Sequence, residues 1–220
     1  MSSTAASAND SQSTDDAQMS APGFHSELSP AELKRSMRLS VYASMMGATF
    51  FTVVQGTVFN FLLEDLNLRN RLPYFTALWC IGAVGNLVGS WIQNRWGYRK
   101  SLFLITIGGS RLVWIAIGLL PLMKPEWRHS DIAFWWLSAL TLTFYFLHSI
   151  GGPAWLSWMA DLVPAKDSGT YWSWRQLGWS AASMMGGPIA GYYLELHHHW
   201  NGYAIIFCAS TVLGLADAIM

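Results

Sequence analysis

The chain has 220 residues, with 13 Lys and Arg against 13 Asp and Glu, so its formal net charge is zero. Charged residues make up 12% and hydrophobic ones 52%, whereas a soluble domain carries about 25% charged residues. This excludes an ordinary soluble domain, the charge balance excludes the basic surface of a nucleic-acid binder, and two Cys exclude a disulfide framework.

Residues 1–28 are rich in Ser, Ala, Asp and Gln, with no apolar run and no basic stretch ahead of one. They are not a signal peptide and read as a disordered cytoplasmic tail. Order is expected from Ser29-Pro30-Ala31-Glu32, where Ser29 caps a helix, Pro30 suits its first position and Glu32 completes a capping box. Residues 29–220 then read as an all-α integral membrane bundle. A helix needs about 20 mainly apolar residues to cross a bilayer. Runs free of Lys, Arg, Asp and Glu cover 39–63, 72–94, 132–160, 176–194 and 196–216, and 101–123 is broken only by Arg111. These are six spans.

Basic residues gather on the cytoplasmic side. With the N-terminus inside, the inner segments hold Lys34, Arg35, Arg38, Arg95, Arg99, Lys100, Lys166 and Arg175, and the outer loops hold Arg69, Arg71, Lys124 and Arg128. Eight against four predicts a cytoplasmic N-terminus in a plasma or bacterial inner membrane. Ten of the thirteen Trp lie near span ends, where their amphipathic rings prefer the interface.

Span 1 places Thr52, Gln55, Gly56 and Asn60 along one side. Span 2 carries Gly82, Gly85 and Gly89 with Asn86 and Ser90. Span 4 lines up Thr141, Tyr145, His148 and Gly152, and span 5 lines up Gln176, Ser180, Ser183 and Gly187. Polar residues in spans usually face the bundle or a wet cavity, so four stripes suggest a shared aqueous path, with interhelical hydrogen bonding as the alternative. Gln55, Asn60, Asn86, Tyr145, His148 and Gln176 are the candidate pathway residues. Span 5 repeats the small-residue face of span 2 with Gly178, Ala182, Gly186 and Ala190, which suggests a 3+3 repeat.

Arg111 sits mid-span, where a guanidinium costs at least about 2.5–3.5 kcal/mol. Asp217 in span 6 lies at a similar depth, counted at about 1.5 Å per residue. An intramembrane Arg111–Asp217 pair is one reading, and an anionic substrate at Arg111 is the other. His148 either carries a coupling proton or hydrogen-bonds within the bundle. Gly151-Gly152-Pro153 is expected to kink span 4. The triplet His197-His198-His199 reads as an interfacial loop, and Cys80 and Cys208 as packing residues. No HExxH, phosphate loop or paired intramembrane carboxylates occur, so no enzyme, cofactor or metal is expected.

The loop after span 2 reads Ser90-Trp91-Ile92-Gln93-Asn94-Arg95-Trp96-Gly97-Tyr98-Arg99-Lys100. It resembles the signature loop of the major facilitator superfamily, G-x-x-x-D-R-x-G-x-R-K. Arg95, Gly97, Arg99 and Lys100 match; Ser90 replaces the Gly and Asn94 replaces the Asp. After span 4, Asp161, Gly169 and Arg175 resemble a second family loop, with Ser168 in place of its Arg. The resemblance covers residues 30–220. It implies the N-terminal six-helix half of a transporter, with Asn94, Arg95, Gly97, Arg99, Lys100, Asp161 and Arg175 at an inner gate. It also implies a secondary active transporter moving a small solute by alternating access. The partners so implied are a small-molecule substrate, a coupling proton or cation, the lipid bilayer, and a C-terminal six-helix half missing from this chain. The run that stops at Met220 reads as truncated. The alternative is a non-transporting six-helix membrane protein acting as a binding or partner subunit.

Overall fold

A computed structural model describes residues 29–122, 125–128, 130–197 and 199–219. The expected tail 1–28 lies outside the described residues, as do Lys124, His198 and Met220. Every regular element among the described residues is helical.

Helix α1 (Pro30–Phe51) starts where the capping pattern places it. Ser29 Oγ accepts from Glu32 N–H at 3.3 Å, and the Glu32 carboxylate accepts from Ser29 N–H at 2.9 Å. Two end donors are thereby satisfied reciprocally. The chain continues through a π-helical stretch, Thr52–Thr57, into α2 (Val58–Asp65). Within that stretch Val58 N–H donates to Val53 O, five residues back, and Gly56 leaves helical geometry at φ −102°, ψ −114°. Span 1 is therefore broken along its length, at its Gln-Gly pair. Span 2 is also divided, into α3 (Leu72–Gly82) and α4 (Gly85–Trp96). Span 3 is α5 (Arg99–Leu119), and a single turn, α6 (Pro125–Arg128), precedes span 4.

Span 4 is α7 (Asp131–Leu162), 32 residues without interruption. The kink expected at Gly151-Gly152-Pro153 is not a break in the helix. The two glycines there make room for neighbours instead. A Cβ on Gly151 would lie 2.6 Å from Ile107 of span 3, and one on Gly152 would lie 3.2 Å from Asn86 of span 2. Span 5 is α8 (Ser168–Leu196), which starts well before residue 176, and span 6 is α9 (Trp200–Ile219).

Five segments are long and apolar enough to cross a membrane: Ala31–Asp65, Arg69–Trp96, Arg99–Leu119, Asp131–Leu162 and Trp200–Ile219. The sixth, α8, has 29 residues, or about 43 Å at 1.5 Å per residue. Its length suffices, but its composition of Gly, Ser, Ala, Trp and Tyr lowers its hydropathy. The chain is a multi-pass membrane protein.

The spans pair in a repeated pattern. Span 2 packs on span 4, and span 5 packs on span 1; span 3 packs on spans 4 and 6, and span 6 on span 1. Exchanging spans 1, 2 and 3 for 4, 5 and 6 reproduces the same pairs, as a 3+3 repeat requires. The small residues explain the close contacts. A Cβ on Gly85 would lie 2.5 Å from Phe146 O and 3.1 Å from Ser149 Cβ, so only glycine lets span 2 approach span 4 this closely. Lipid tails are as apolar as these side chains, so tight packing holds the spans together.

Packing density differs between the two ends. The large cluster around Phe50, Leu62, Phe75, Trp114, Phe144 and Phe207 fills the half that ends at Asp65 and Tyr203. The other half has a smaller cluster of Phe103, Ile107, Ala154 and Ala218, with Met159, Leu162 and Tyr171 buried apart from it. That thinner half ends at Lys100 and Asp161, and it contains a cavity.

Candidate functional site

The cavity has a volume of about 750 Å³ and is bounded by spans 1, 3, 4, 5 and 6. Lys100 and Asp161 stand at its mouth; Phe51, Arg111 and His148 lie at its deep end. Arg111 is twelve residues along α5 from Arg99, so the cavity reaches about 18 Å into the bundle.

At the deep end, Arg111 is 2% exposed and donates from Nη2 to Asp217 Oδ2 at 3.3 Å. Its guanidinium also lies 4.2 Å from the Phe50 ring centre and 4.5 Å from that of Phe51. Stacking on aromatic faces suits a weakly hydrated guanidinium. Two glycines clear space for the pair. A Cβ at Gly47 would lie 2.6 Å from Asp217 Oδ2, and one at Gly214 would lie 2.9 Å from Arg111 Cδ. The pair remains incompletely satisfied, since Arg111 Nε and Nη1 are buried with no hydrogen-bond partner.

His148 stacks on Phe144 at 5.8 Å and meets the Phe51 ring edge-on at 5.2 Å. Its Nδ1 is buried and has no partner. His148 and Gly152 are the only residues of the four predicted polar stripes that line the cavity. The cavity therefore differs from the one expected: it excludes span 2 and includes spans 3 and 6. Periodicity shows which residues share a helix face, while helix pairing decides which face meets a void.

The other pathway candidates sit elsewhere. Gln55 lies in the π-helical stretch, with Nε2 buried and unpartnered. Tyr145 is half-buried and meets Trp79 edge-on at 5.2 Å. Asn60, Asn86 and Gln176 are exposed. Asn86 Nδ2 donates to Ala83 O, in the turn between α3 and α4, at 3.0 Å.

The loop after span 2 turns at Gly97, whose φ of +70° places it in the left-handed region at the end of α4. Its N–H donates to Gln93 O at 2.9 Å, the usual way a glycine ends a helix. Asn94, Arg95 and Lys100 are exposed. Arg99 donates to Asp161 at 2.7 Å, tying the start of span 3 to the end of span 4.

Arg175 does not join that pair. Its Nη1 donates to Ser40 O at 3.1 Å, to Ser40 Oγ at 2.9 Å and to Tyr171 Oη at 3.4 Å. Its guanidinium lies 4.8 Å from the Trp155 ring centre. The residues expected at an inner gate therefore include a surface ion pair and a separate cavity-lining cation. Ser40 and Tyr171 are site residues the sequence reading missed. Tyr171 is four residues before Arg175 and thus shares its helix face; no local pattern marks Ser40.

At the opposite end, Tyr203 donates to Asp65 Oδ2 at 2.6 Å, joining spans 1 and 6. His197 lies in the turn after α8, stacks on Tyr193 at 4.5 Å and shares a 3.1 Å hydrogen bond with Tyr193 O. Cys80 is exposed on α3, so it does not pack inside the bundle, whereas Cys208 is partly buried. No group of three metal-binding side chains occurs among the described residues.

A family model described as Major Facilitator Superfamily matches residues 39–220. No curated protein and no solved structure matches the chain.

Proposed function

Because the chain belongs to the major facilitator superfamily, a family of membrane transporters, we propose that it forms six helices of a secondary transporter. In this reading a small solute moves by alternating access. Asn60, Asn86 and Gln176, with Gln55, Tyr145 and His148 behind them, line its path. One observation carries the reading. Asn60, Asn86 and Gln176 are exposed on three different membrane spans. Lipid gives such amides no hydrogen-bond partner, so exposed polar groups within a span usually face water or another protein segment. A second six-helix half would close that face into a path. The Arg99–Asp161 end is cytoplasmic, as the excess of basic residues there favours.

The test needs no substrate. In a background lacking Cys80 and Cys208, Asn86→Cys and Gln176→Cys are treated with a charged, membrane-impermeant thiol reagent. Leu87→Cys is the comparison, since Leu87 is 73% exposed on the same helix. The expected result is labelling at positions 86 and 176 and none at 87. Equal labelling at all three, or none at any, overturns the path. Once a solute is identified, substitutions at Gln55 and His148 that leave uptake unchanged count against their place in it.

A further inference from the structure

We infer that the cavity at the Lys100–Asp161 end is a binding site for a small organic anion with an aromatic body. This site shares only His148 with the proposed solute path, and binding there needs no transport.

The first argument is charge. Lys100, Arg111 and Arg175 line the cavity, against Asp161 and Asp217. Asp161 is engaged by Arg99, which lies outside the lining, and Asp217 by Arg111. Neither Lys100 nor Arg175 has a carboxylate within ion-pair distance among the described residues. Lys100 and Arg175 are thus left without a direct ion-pair partner, although Asp217 is close enough to feel the Arg175 charge. Facing low-dielectric walls, they attract an anion more strongly than they would in open water.

The second argument is how Arg175 is held. All its hydrogen bonds leave from Nη1, and its acceptors are neutral oxygens of Ser40 and Tyr171. Nε and Nη2 make none. The guanidinium is thus fixed in place with donors to spare, ready for a carboxylate. Deeper in the same cavity, the 2% exposed Arg111 keeps Nε and Nη1 unpartnered, and His148 keeps Nδ1 unpartnered. Buried polar atoms of this kind normally find a partner; the two on Arg111 are N–H donors suited to an anion.

The third argument is the wall. Trp155, Trp158 and Trp179 line the cavity with Phe51 and Phe103. A ligand site typically combines such apolar walls with a few convergent polar groups, within a volume of about 300–1,000 Å³. At about 750 Å³ this cavity admits an aromatic ring bearing a carboxylate.

The probe is 4-nitrobenzoate, a carboxylate whose nitro ring quenches Trp emission; its neutral counterpart is 4-nitrobenzamide. The full chain is placed in phosphatidylcholine nanodiscs, and quenching of empty-disc controls is subtracted. Saturable quenching is expected, with half-saturation by the benzoate at a concentration about tenfold below that of the amide. Arg175→Gln should raise the benzoate value about tenfold and leave the amide value unchanged. Because Arg175 also ties down Ser40, Lys100→Gln serves as the second variant. Lys100 is exposed with no partner among the described residues, and its loss should raise the benzoate value about threefold. Equal half-saturation for benzoate and amide overturns the inference, as does an unchanged benzoate value in both variants. Loss of benzoate binding when phosphatidylglycerol replaces phosphatidylcholine overturns it too, and assigns the cavity to a lipid headgroup.

Discussion

Replacing Asp217 by Asn keeps its shape and removes its charge. The guanidinium it leaves behind is 2% exposed and has no reserve, because Nε and Nη1 already lack partners. Removing one member of a buried pair costs about 3–5 kcal/mol, a fall of roughly a hundred- to several-thousand-fold in the folding equilibrium. The reverse change, Arg111→Met, should cost less, about 1–3 kcal/mol. The Asp217 side chain is 19% exposed, so water can partly solvate the carboxylate left behind. The double variant should cost no more than Arg111→Met alone, since no unpaired charge remains. Gly47→Ala gives an independent check. Its Cβ would strike the Asp217 carboxylate at 2.6 Å, for about 1–3 kcal/mol of overpacking. In an Asp217→Ala background that cost should vanish, because the atoms it strikes are gone. The assay is denaturant unfolding of the detergent-purified chain, followed by helical circular dichroism. A cost below about 1 kcal/mol for Asp217→Asn, or additive losses in the double variant, refutes the account of Arg111 as a charge held by Asp217.

Tyr203→Phe removes a 2.6 Å bond to the Asp65 carboxylate and should lose about 1.5–3 kcal/mol, read in the same unfolding assay. The Arg99–Asp161 pair has side chains 46% and 54% exposed, so a double-mutant cycle on it should return only about 0.2–1 kcal/mol, and less as salt is added. Gly85→Leu should separate spans 2 and 4 and lower stability by more than about 1–3 kcal/mol, because its Cβ alone would meet Phe146 O at 2.5 Å. Loss of disulfide cross-linking between cysteines placed on α4 and α7 would report that separation directly.

What the sequence made legible depends on the range of the interaction. The capping box at Ser29 and Glu32 is local, and it forms as the residue types dictate. The spans follow from where charges are absent, a property of single segments. The small-residue faces of spans 2 and 5 also read correctly as close-packing surfaces. Their partners did not, because a stripe of glycines says nothing of which helix will fill it. At Gly151-Gly152-Pro153 the helix runs on without a break, and what the sequence hid is again the neighbour. Glycine before proline signals flexibility, but spans 2 and 3 occupy the space those glycines vacate. The real break at Gly56 carried a weaker signal, a glycine beside a glutamine in an otherwise apolar run. The separation of Arg175 from Asp161 was beyond reach, since it depends on Ser40 lying 135 residues away in sequence.

The reciprocal pairing of spans has a consequence for biogenesis. Span 2 meets span 1, its neighbour in the chain, at the Phe59–Phe75 ring pair, but its glycines are reserved for span 4. Between Gly89 and Ile150 the ribosome must add 61 residues, which takes about 3–12 s at roughly 5–20 residues per second. During that interval the first hairpin stands in the bilayer with a notched face and nothing to fill it. Span 1 likewise waits for span 5. The two three-helix units therefore mature together, each completing the other, and a nascent chain arrested after span 3 would present two open seams to any insertion factor or quality-control protease nearby.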